Sequence, residues 1–180
     1  MDDGTVYGVG DNEFGQLGSA IDIPQNFLSV ITGVTNVMQI SAGLEHSVFL
    51  KSDGTILTTG KNEYGQLGDG TTENQTSPTL IAGLTGVTQV SAGWGHTMFI
   101  KSNGTLWGMG YNYEGQLGDG TNDNRNSPVQ VSDVSDVKLV SADYHTMFIK
   151  NDGTLWGMGD NSVGQLGDGT KINRSIPVQI

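Results

Sequence analysis

Residues 53–68 read DGTILTTGKNEYGQLG, and this stretch is one of four copies of a single pattern. The other copies are DGTVYGVGDNEFGQLG at 3–18, NGTLWGMGYNYEGQLG at 103–118 and DGTLWGMGDNSVGQLG at 152–167. Successive copies begin 50, 50 and 49 residues apart. A regular period of this length indicates a repeat architecture.

Each period contains short runs of β-branched, aromatic and large apolar residues between glycine-rich turns, a pattern typical of strands. In the second unit it predicts strands at 37–41, 46–51 and 55–60, with a weaker one at 78–82. Four short strands in a period near 50 residues are typical of a β-propeller blade built as an antiparallel meander. We therefore predict an all-β fold of about three and a half blades, comprising a partial blade of two strands at 1–36 and full blades at 37–86, 87–136 and 137–180.

The turn between the second and third strands of each unit carries Asp-Gly or Asn-Gly. These pairs are Asp53-Gly54, Asn103-Gly104 and Asp152-Gly153. Both residue types tolerate positive φ, so the pairs predict two-residue hairpin turns and a structural role for the acidic or amide side chain.

The three histidines, His46, His96 and His145, occupy one position of the repeat. A catalytic residue is needed once, whereas a framework residue is needed in every blade. Equivalent positions in neighbouring blades are too far apart to converge on one zinc ion. We expect each imidazole to be structural and bonded to a neighbouring turn.

Composition excludes several classes of function. Nineteen acidic and eight scattered basic residues give a net charge of −11, which disfavours nucleic-acid binding. There is no cysteine, and no apolar run approaches membrane-spanning length. The first residues lack the pattern of a signal peptide, so we expect any secretion signal to be removed or to lie upstream.

No small-molecule or catalytic site stands out. GQLGDG is not followed by Gly-Lys-Ser/Thr and does not open a helix, so it is not a phosphate loop. A cation site is conceivable because oxygens are supplied by Asp69, Glu73, Asp119 and Asp123, but their spacing differs from that of a calcium loop. The corresponding stretches are LGSAIDIP at 17–24 in the first unit and LGDGTKIN at 166–173 in the last, so the units do not form a ring of equivalent sites. We expect no metal, no cofactor and no enzyme activity.

Two short slots vary among the units while their flanks stay uniform. One slot is the pair in SAG-xx-H, and the other is the pair in N-xx-GQLG. Positions free of framework duty are where loops on a rigid scaffold can carry contacts, and aromatic residues are favoured anchors in interfaces. The alternative is that these are solvated turn residues with chance aromatics. The candidate partner-binding residues are Trp94, Tyr144, Asp143, Glu45, Phe14, Glu63, Tyr64, Tyr113 and Glu114.

The string SAGxxHSxFLKxDGTxxxxGxNxxGQLGDGT resembles the repeat of the regulator of chromosome condensation family over essentially the whole chain. The resemblance implies a β-propeller, usually of seven blades, with GQLG as a framework turn. A ring of seven would need roughly 350 residues at this period. We expect the chain to be a fragment of a longer protein. The alternatives are a chain whose ring is closed by a second copy or a partner, and an engineered half-propeller. An open arc exposes apolar faces and strand edges, so we also expect self-association.

We consider three functions and favour a non-catalytic protein-interaction scaffold, in which the turns present the residues of the two variable slots to a partner. Because the family includes a secreted propeller that inhibits β-lactamases, inhibition of a partner enzyme is a specific version. The alternatives are a guanine nucleotide exchange factor for a small GTPase and a purely structural, self-assembling module. The low lysine content, the lack of cysteine and the abundant Thr, Asn, Asp and Gly resemble bacterial surface or secreted repeat proteins, so we expect an extracellular or cell-surface location.

Overall fold

The computed structural model describes residues 5–19 and 23–180, so residues 1–4 and 20–22 of the predicted partial blade lie outside it. Within the described residues the regular structure consists of strands, and no helix is long and apolar enough to cross a membrane. The strands are β1 (Tyr7–Gly10), β2 (Gln25–Val30), β3 (Val37–Ala42), β4 (His46–Lys51), β5 (Ile56–Gly60), β6 (Gln75–Leu80), β7 (Val87–Ala92), β8 (His96–Lys101), β9 (Leu106–Gly110), β10 (Arg125–Gln130), β11 (Val137–Ala142), β12 (His145–Lys150), β13 (Leu155–Gly159) and β14 (Arg174–Gln179).

The described strands form one two-stranded sheet and three four-stranded antiparallel sheets, each in sequential order. We call β1–β2 blade 1, β3–β6 blade 2, β7–β10 blade 3 and β11–β14 blade 4. Each four-stranded sheet is an up-and-down meander, as a propeller blade requires. The prediction of an all-β partial propeller of about three and a half blades is confirmed.

The predicted strands of blade 2 agree with β3, β4 and β5, but the fourth was misplaced. The sequence predicted 78–82, whereas β6 runs from Gln75 to Leu80. Its first residues, Gln75 to Ser77, are polar and carry no hydrophobic periodicity. They pair with β5 through a register shift between Thr58 and Gly60, a bulge that the apolar pattern does not reveal.

The Asp-Gly turns differ from the two-residue type that the sequence predicted. Only the glycine has positive φ, +77° at Gly54, and the loop closes through Lys51 N–H to Thr55 O and Gly54 N–H to Lys51 O, each 2.9 Å. This is a three-residue loop with glycine in the left-handed position. Asp53 contributes its side chain instead, because Oδ1 accepts bonds from the Thr55 amide at 3.0 Å and hydroxyl at 2.6 Å. Its role is structural through side-chain bonding rather than through backbone conformation.

The core lies between blades rather than within them. Phe49, Phe99 and Phe148 occupy one repeat position on β4, β8 and β12, and all three are fully buried. Each belongs to an apolar cluster that includes residues of the preceding blade, as Phe49 does with Val6 and Ile31 of blade 1. Trp107 lies against the cluster of blades 2 and 3, and its ring stacks on that of Phe99 with the centroids 6.4 Å apart.

Candidate functional site

The GQLG turns fix the backbone that carries one of the two variable slots. In blade 2, Asn62 is fully buried, its Oδ1 accepts a bond from Leu67 N–H at 2.9 Å, and its Nδ2 donates to Glu73 O at 3.0 Å. Gln66 Oε1 accepts a bond from Tyr64 N–H at 3.0 Å. Because the buried polar side chains of the turn are hydrogen-bonded within the blade, the slot residues are free of that role. Glu63 is exposed and Tyr64 is half-buried at the surface.

A histidine directly follows the other slot, and its side chain bonds to the next blade. His46 Nε2 lies 3.0 Å from Thr97 Oγ1, which donates to Gln66 O at 2.8 Å. Because the hydroxyl has only one proton, His46 must donate from Nε2, while its Nδ1 is buried without a partner. His96 and Thr146 repeat the arrangement at 2.9 Å. The three histidines were predicted to bond a neighbouring turn. For His46 and His96 the direct partner is instead a strand hydroxyl, which then links the imidazole to the turn.

These histidines are neutral. Burial lowers the pKa of His46 to about 4. Burial, followed by the influence of the neighbouring histidines, lowers the pKa of His96 to about 3. Removing an imidazole from water disfavours its charged form. Neither residue is a candidate acid or base near neutral pH.

The structure brings four of the predicted aromatic residues together. Trp94 stacks on Tyr144 with ring centroids 5.8 Å apart, lies 5.7 Å from Tyr64, and meets Tyr111 edge to face at 5.4 Å. Tyr111 in turn lies 5.0 Å from Tyr113. The rings come from blades 2, 3 and 4, at the ends of the strands where both slots lie. We call these five residues the aromatic surface.

The aromatic surface is partly open to solvent. Tyr113 is 61% exposed and Tyr144 is 55% exposed, while the other three rings are half-buried. Edge-to-face and stacked contacts at these distances are favourable and hold the rings in place. The result is a contiguous, ordered aromatic patch that water still reaches.

Two predicted acidic residues flank this patch. Glu114 accepts bonds from the Tyr111 hydroxyl and from Gln116 Nε2, each at 3.2 Å. Burial raises the pKa of Tyr111 to about 12, and the hydrogen bond to Glu114 acts in the same direction, so the phenol stays protonated. Asp143 is exposed, and its backbone oxygen accepts a bond from Trp94 N–H at 2.9 Å.

The remaining predicted residues form a second group around a lysine. Lys61 Nζ lies 2.8 Å from Glu45 Oε2, 3.6 Å from Glu63 Oε2 and 4.7 Å from the centroid of the Phe14 ring. The hydrogen bond to Glu45 raises the pKa of Lys61, although burial opposes it. We call Phe14, Glu45, Lys61 and Glu63 the lysine clasp. In the lysine clasp, the cation beside the aromatic ring and the two carboxylates is the chain's own Lys61.

Comparison with protein families decides the identity of the repeat. A sequence profile described as the regulator of chromosome condensation (RCC1) repeat matches residues 3–50, 53–100, 103–149 and 152–180. The chain belongs to the RCC1 repeat family. A second RCC1 profile matches residues 37–66, 87–116 and 137–165. Among curated proteins no sequence match was found.

Solved RCC1-like structures share the fold. Human WBSCR16 superposes with a TM-score of 0.84 at 24% identity, covering 97% of this chain and 46% of that one. Yeast RCC1 (Prp20), bound to Kap60, gives 0.85 at 20% identity, covering 98% and 44%. Prp20p from Saccharomyces cerevisiae, described with its binding to Gsp1p and histones, gives 0.86 at 20% identity, covering 98% and 46%. The chain therefore spans less than half of each.

Sequence reasoning missed Tyr111 and Lys61, which occupy the same place in the RCC1 repeat, directly before the framework asparagine. The other units have Asp11 and Asp160 there. Asp, Lys, Tyr and Asp at one position is the same kind of variation that marked the two slots. That signal was present in the sequence and would have added both residues.

Two of the four carboxylates considered as metal ligands, Asp69 and Asp119, make hydrogen bonds or ion pairs within the repeat. Asp119 pairs with Arg125, with Oδ2 2.7 Å from Nη2, and its Oδ1 accepts a bond from Thr121 N–H at 2.9 Å. Asp69 Oδ2 accepts a bond from Gln75 Nε2 at 2.9 Å. Across 5–19 and 23–180 no group of three or more His, Cys, Asp or Glu side chains is placed to hold a metal ion.

Proposed function

We propose that this chain is a non-catalytic protein-interaction scaffold and that its aromatic surface is the binding face. The observation that carries the proposal is the convergence of five rings from three blades, with neighbouring centroids 4.9 to 5.8 Å apart. Tyrosine and tryptophan are enriched in protein interfaces and among the residues that dominate binding energy. A contiguous exposed patch of this kind favours an interaction site over the alternative of chance aromatic residues in solvated turns.

Rigidity and charge support the proposal. The rings rest on turns held by buried Asn and Gln side chains and on the His46–Thr97–Gln66 chain of hydrogen bonds. A preorganised surface loses little conformational freedom when a partner binds. Glu114, Asp143 and the net charge of −11 favour a partner with a basic surface. Where that partner is an enzyme, covering its active site with this rigid face would inhibit it.

The test is retention of partners by variants. The intact chain, Trp94→Ala, Tyr113→Ala and the control Lys138→Ala are immobilised, and proteins retained from an extract of the source organism are quantified. Lys138 lies with Asn103 and Asp136 at the opposite ends of the strands. We expect at least one protein to be retained by both the intact chain and Lys138→Ala. The retained amount of that protein should fall at least about tenfold with either aromatic variant. Loss with the control and retention by both aromatic variants would refute the proposal.

The fold likeness favours a second candidate, regulation of a small GTPase. Prp20p, which superposes at a TM-score of 0.86, is described with its binding to Gsp1p and histones. The resemblance to the family implies guanine nucleotide exchange. The test is release of a fluorescent nucleotide from a small GTPase of the source organism, with and without the chain. Accelerated release by the chain would favour this candidate, and an unchanged rate would leave the scaffold as the better description.

A further inference from the structure

A cavity opens beside the aromatic surface, between blades 3 and 4. Its volume is about 220 Å³, and the residues that line it are Trp94, Tyr111, Glu114, Gln116, Tyr144 and Asp160. Three aromatic rings and two carboxylates thus face one space. Aromatic faces attract organic cations through the ring quadrupole, and adjacent carboxylates add direct charge attraction.

The lysine clasp shows how the same repeat positions treat a cation. Phe14, Glu45 and Lys61 occupy the positions that Glu114, Tyr144 and Asp160 occupy in the cavity. In the clasp the Lys61 ammonium lies against Glu45 and above the Phe14 ring. In the cavity Asp160 replaces that lysine, and none of the lining residues is basic. The cavity therefore has aromatic and acidic surroundings at the same repeat positions as the clasp, but a carboxylate stands where the clasp has its ammonium.

The two carboxylates of the cavity are held in place by neutral donors. Asp160 accepts bonds from Ser162 N–H at 3.0 Å and Gln165 Nε2 at 2.7 Å. Glu114 accepts bonds from the Tyr111 hydroxyl and Gln116 Nε2. Their positions are fixed, but these bonds bring no positive charge to the cavity. A cation from outside the described chain would supply the missing charge.

We propose that this cavity binds the ammonium group of a lysine side chain on the partner polypeptide. The inference rests on the proposed scaffold function and adds the chemistry of the partner. The lysine stem would lie along the stacked Trp94 and Tyr144 rings, while the ammonium meets Glu114 and Asp160. The cavity thereby gives the aromatic surface a preference for basic partners.

The test uses a short lysine peptide and its uncharged counterpart. Acetyl-Gly-Ser-Lys-Ser-Gly-amide and the same peptide with norleucine are titrated into the chain, and the indole N–H signal of Trp94 is followed by NMR. Trp107 and Trp156 serve as internal references because Lys101 and Lys150 already lie above their rings, at 4.3 and 4.6 Å. We expect a saturable shift of Trp94 with the lysine peptide and at least about fivefold weaker binding of the norleucine peptide.

Three variants sharpen the test. Glu114→Gln keeps an acceptor for Tyr111 but removes the charge, and we expect about fivefold weaker binding. Glu13→Gln makes the same change at an exposed turn residue outside the cavity and should bind as the intact chain does. Asp160→Lys places the chain's own ammonium where Lys61 has it, and should abolish the shift.

Equal binding of both peptides, or unchanged binding by Glu114→Gln and Asp160→Lys, would overturn the lysine site. If the lysine peptide fails to shift Trp94 while Trp94→Ala still loses its partner from the extract, the lysine site is wrong and the scaffold function stands. If the peptide binds but both aromatic variants keep every partner, the scaffold proposal is the one that fails.

Discussion

For single residues, the clearest feature is a buried histidine that links blade 2 to blade 3 and, at the equivalent position, blade 3 to blade 4. His46 donates to Thr97, whose hydroxyl in turn donates to Gln66 of the GQLG turn. The protein thus uses a titratable side chain as a neutral donor. The same bond recurs between blades 3 and 4, where His96 lies 2.9 Å from the Thr146 hydroxyl.

A pH dependence follows from this burial. The pKa of His46 is about 4 in the folded protein and about 6.5 when exposed. Below pH 6.5 the unfolded chain binds the proton and the folded chain does not, so the stabilisation is complete above pH 6.5 and is lost as the pH falls towards 4. We expect this residue alone to lower the free energy of unfolding by about 3 kcal/mol over that range. Chemical denaturation at several pH values, with NMR of the imidazole, measures it, and titration of His46 near pH 6.5 would contradict it.

Trp94 belongs to the surface rather than to the core. Its ring is half-buried against Tyr64, Tyr111 and Tyr144, outside the three clusters centred on the buried phenylalanines. We expect Trp94→Ala to lower the free energy of unfolding by about 2 kcal/mol, the scale of three ring contacts at a half-buried site. Phe99→Ala is the matched core control and should cost about 4 kcal/mol. Similar losses for the two variants in urea denaturation would place Trp94 in the core.

At the scale of elements, the GQLG turns join successive blades. Gly115 has φ +85°, and a Cβ there would lie 2.4 Å from the Cα of Ser175 on β14. Gly164 holds the same position in blade 4 with φ +87°, but the nearest atom to its Cβ would be Thr170 O at 3.7 Å. The turn of one blade therefore touches the outer strand of the next, and Gly164 has no such strand among the described residues.

This pair of glycines provides a controlled measurement of contact between blades. Gly115→Ala incurs both left-handed strain and a backbone clash, and we expect it to cost about 3 kcal/mol. Gly164→Ala incurs the strain with little clash and should cost about 1 kcal/mol. Thermal or urea denaturation of the two variants checks the difference. Equal losses would mean that the close approach to β14 contributes nothing.

Most elements could be predicted from the period, because β3, β4 and β5 are short runs of β-branched and large apolar residues between glycine-rich turns. The start of β6 could not, since Gln75 to Ser77 are polar and their pairing depends on a bulge. The slots were predicted from their variation among units. Which slot residues meet could not be predicted, because contacts such as Trp94 to Tyr64 depend on how closely adjacent blades pack.

At the scale of the whole molecule, the arc leaves apolar surface exposed. Phe27 is 83% exposed and Leu28 is 69% exposed in blade 1, and Leu139 and Leu155 are exposed in blade 4. Patches of large apolar side chains on a sheet promote association.

Self-association of the 180-residue chain remains a prediction. We expect light scattering to give a mass above the 19.0 kDa of the monomer, decreasing on dilution. Leu139→Gln combined with Leu28→Ser should reduce the association, because the two changes remove apolar area at the two ends of the arc. Trp94→Ala, which lies on neither end, is the control and should leave the mass unchanged. A stable monomer of 19.0 kDa at all concentrations would contradict the prediction.

The binding role of the aromatic surface is tested most directly by site-specific photo-crosslinking. A photoreactive phenylalanine analogue replaces Tyr113 in one variant and Asn103, at the opposite ends of the strands, in another. After irradiation in an extract of the source organism, we expect a discrete crosslinked partner from position 113 that is absent from position 103 and is suppressed by Trp94→Ala. Crosslinks of equal yield from both positions, or from position 103 alone, would contradict the assignment of the binding face.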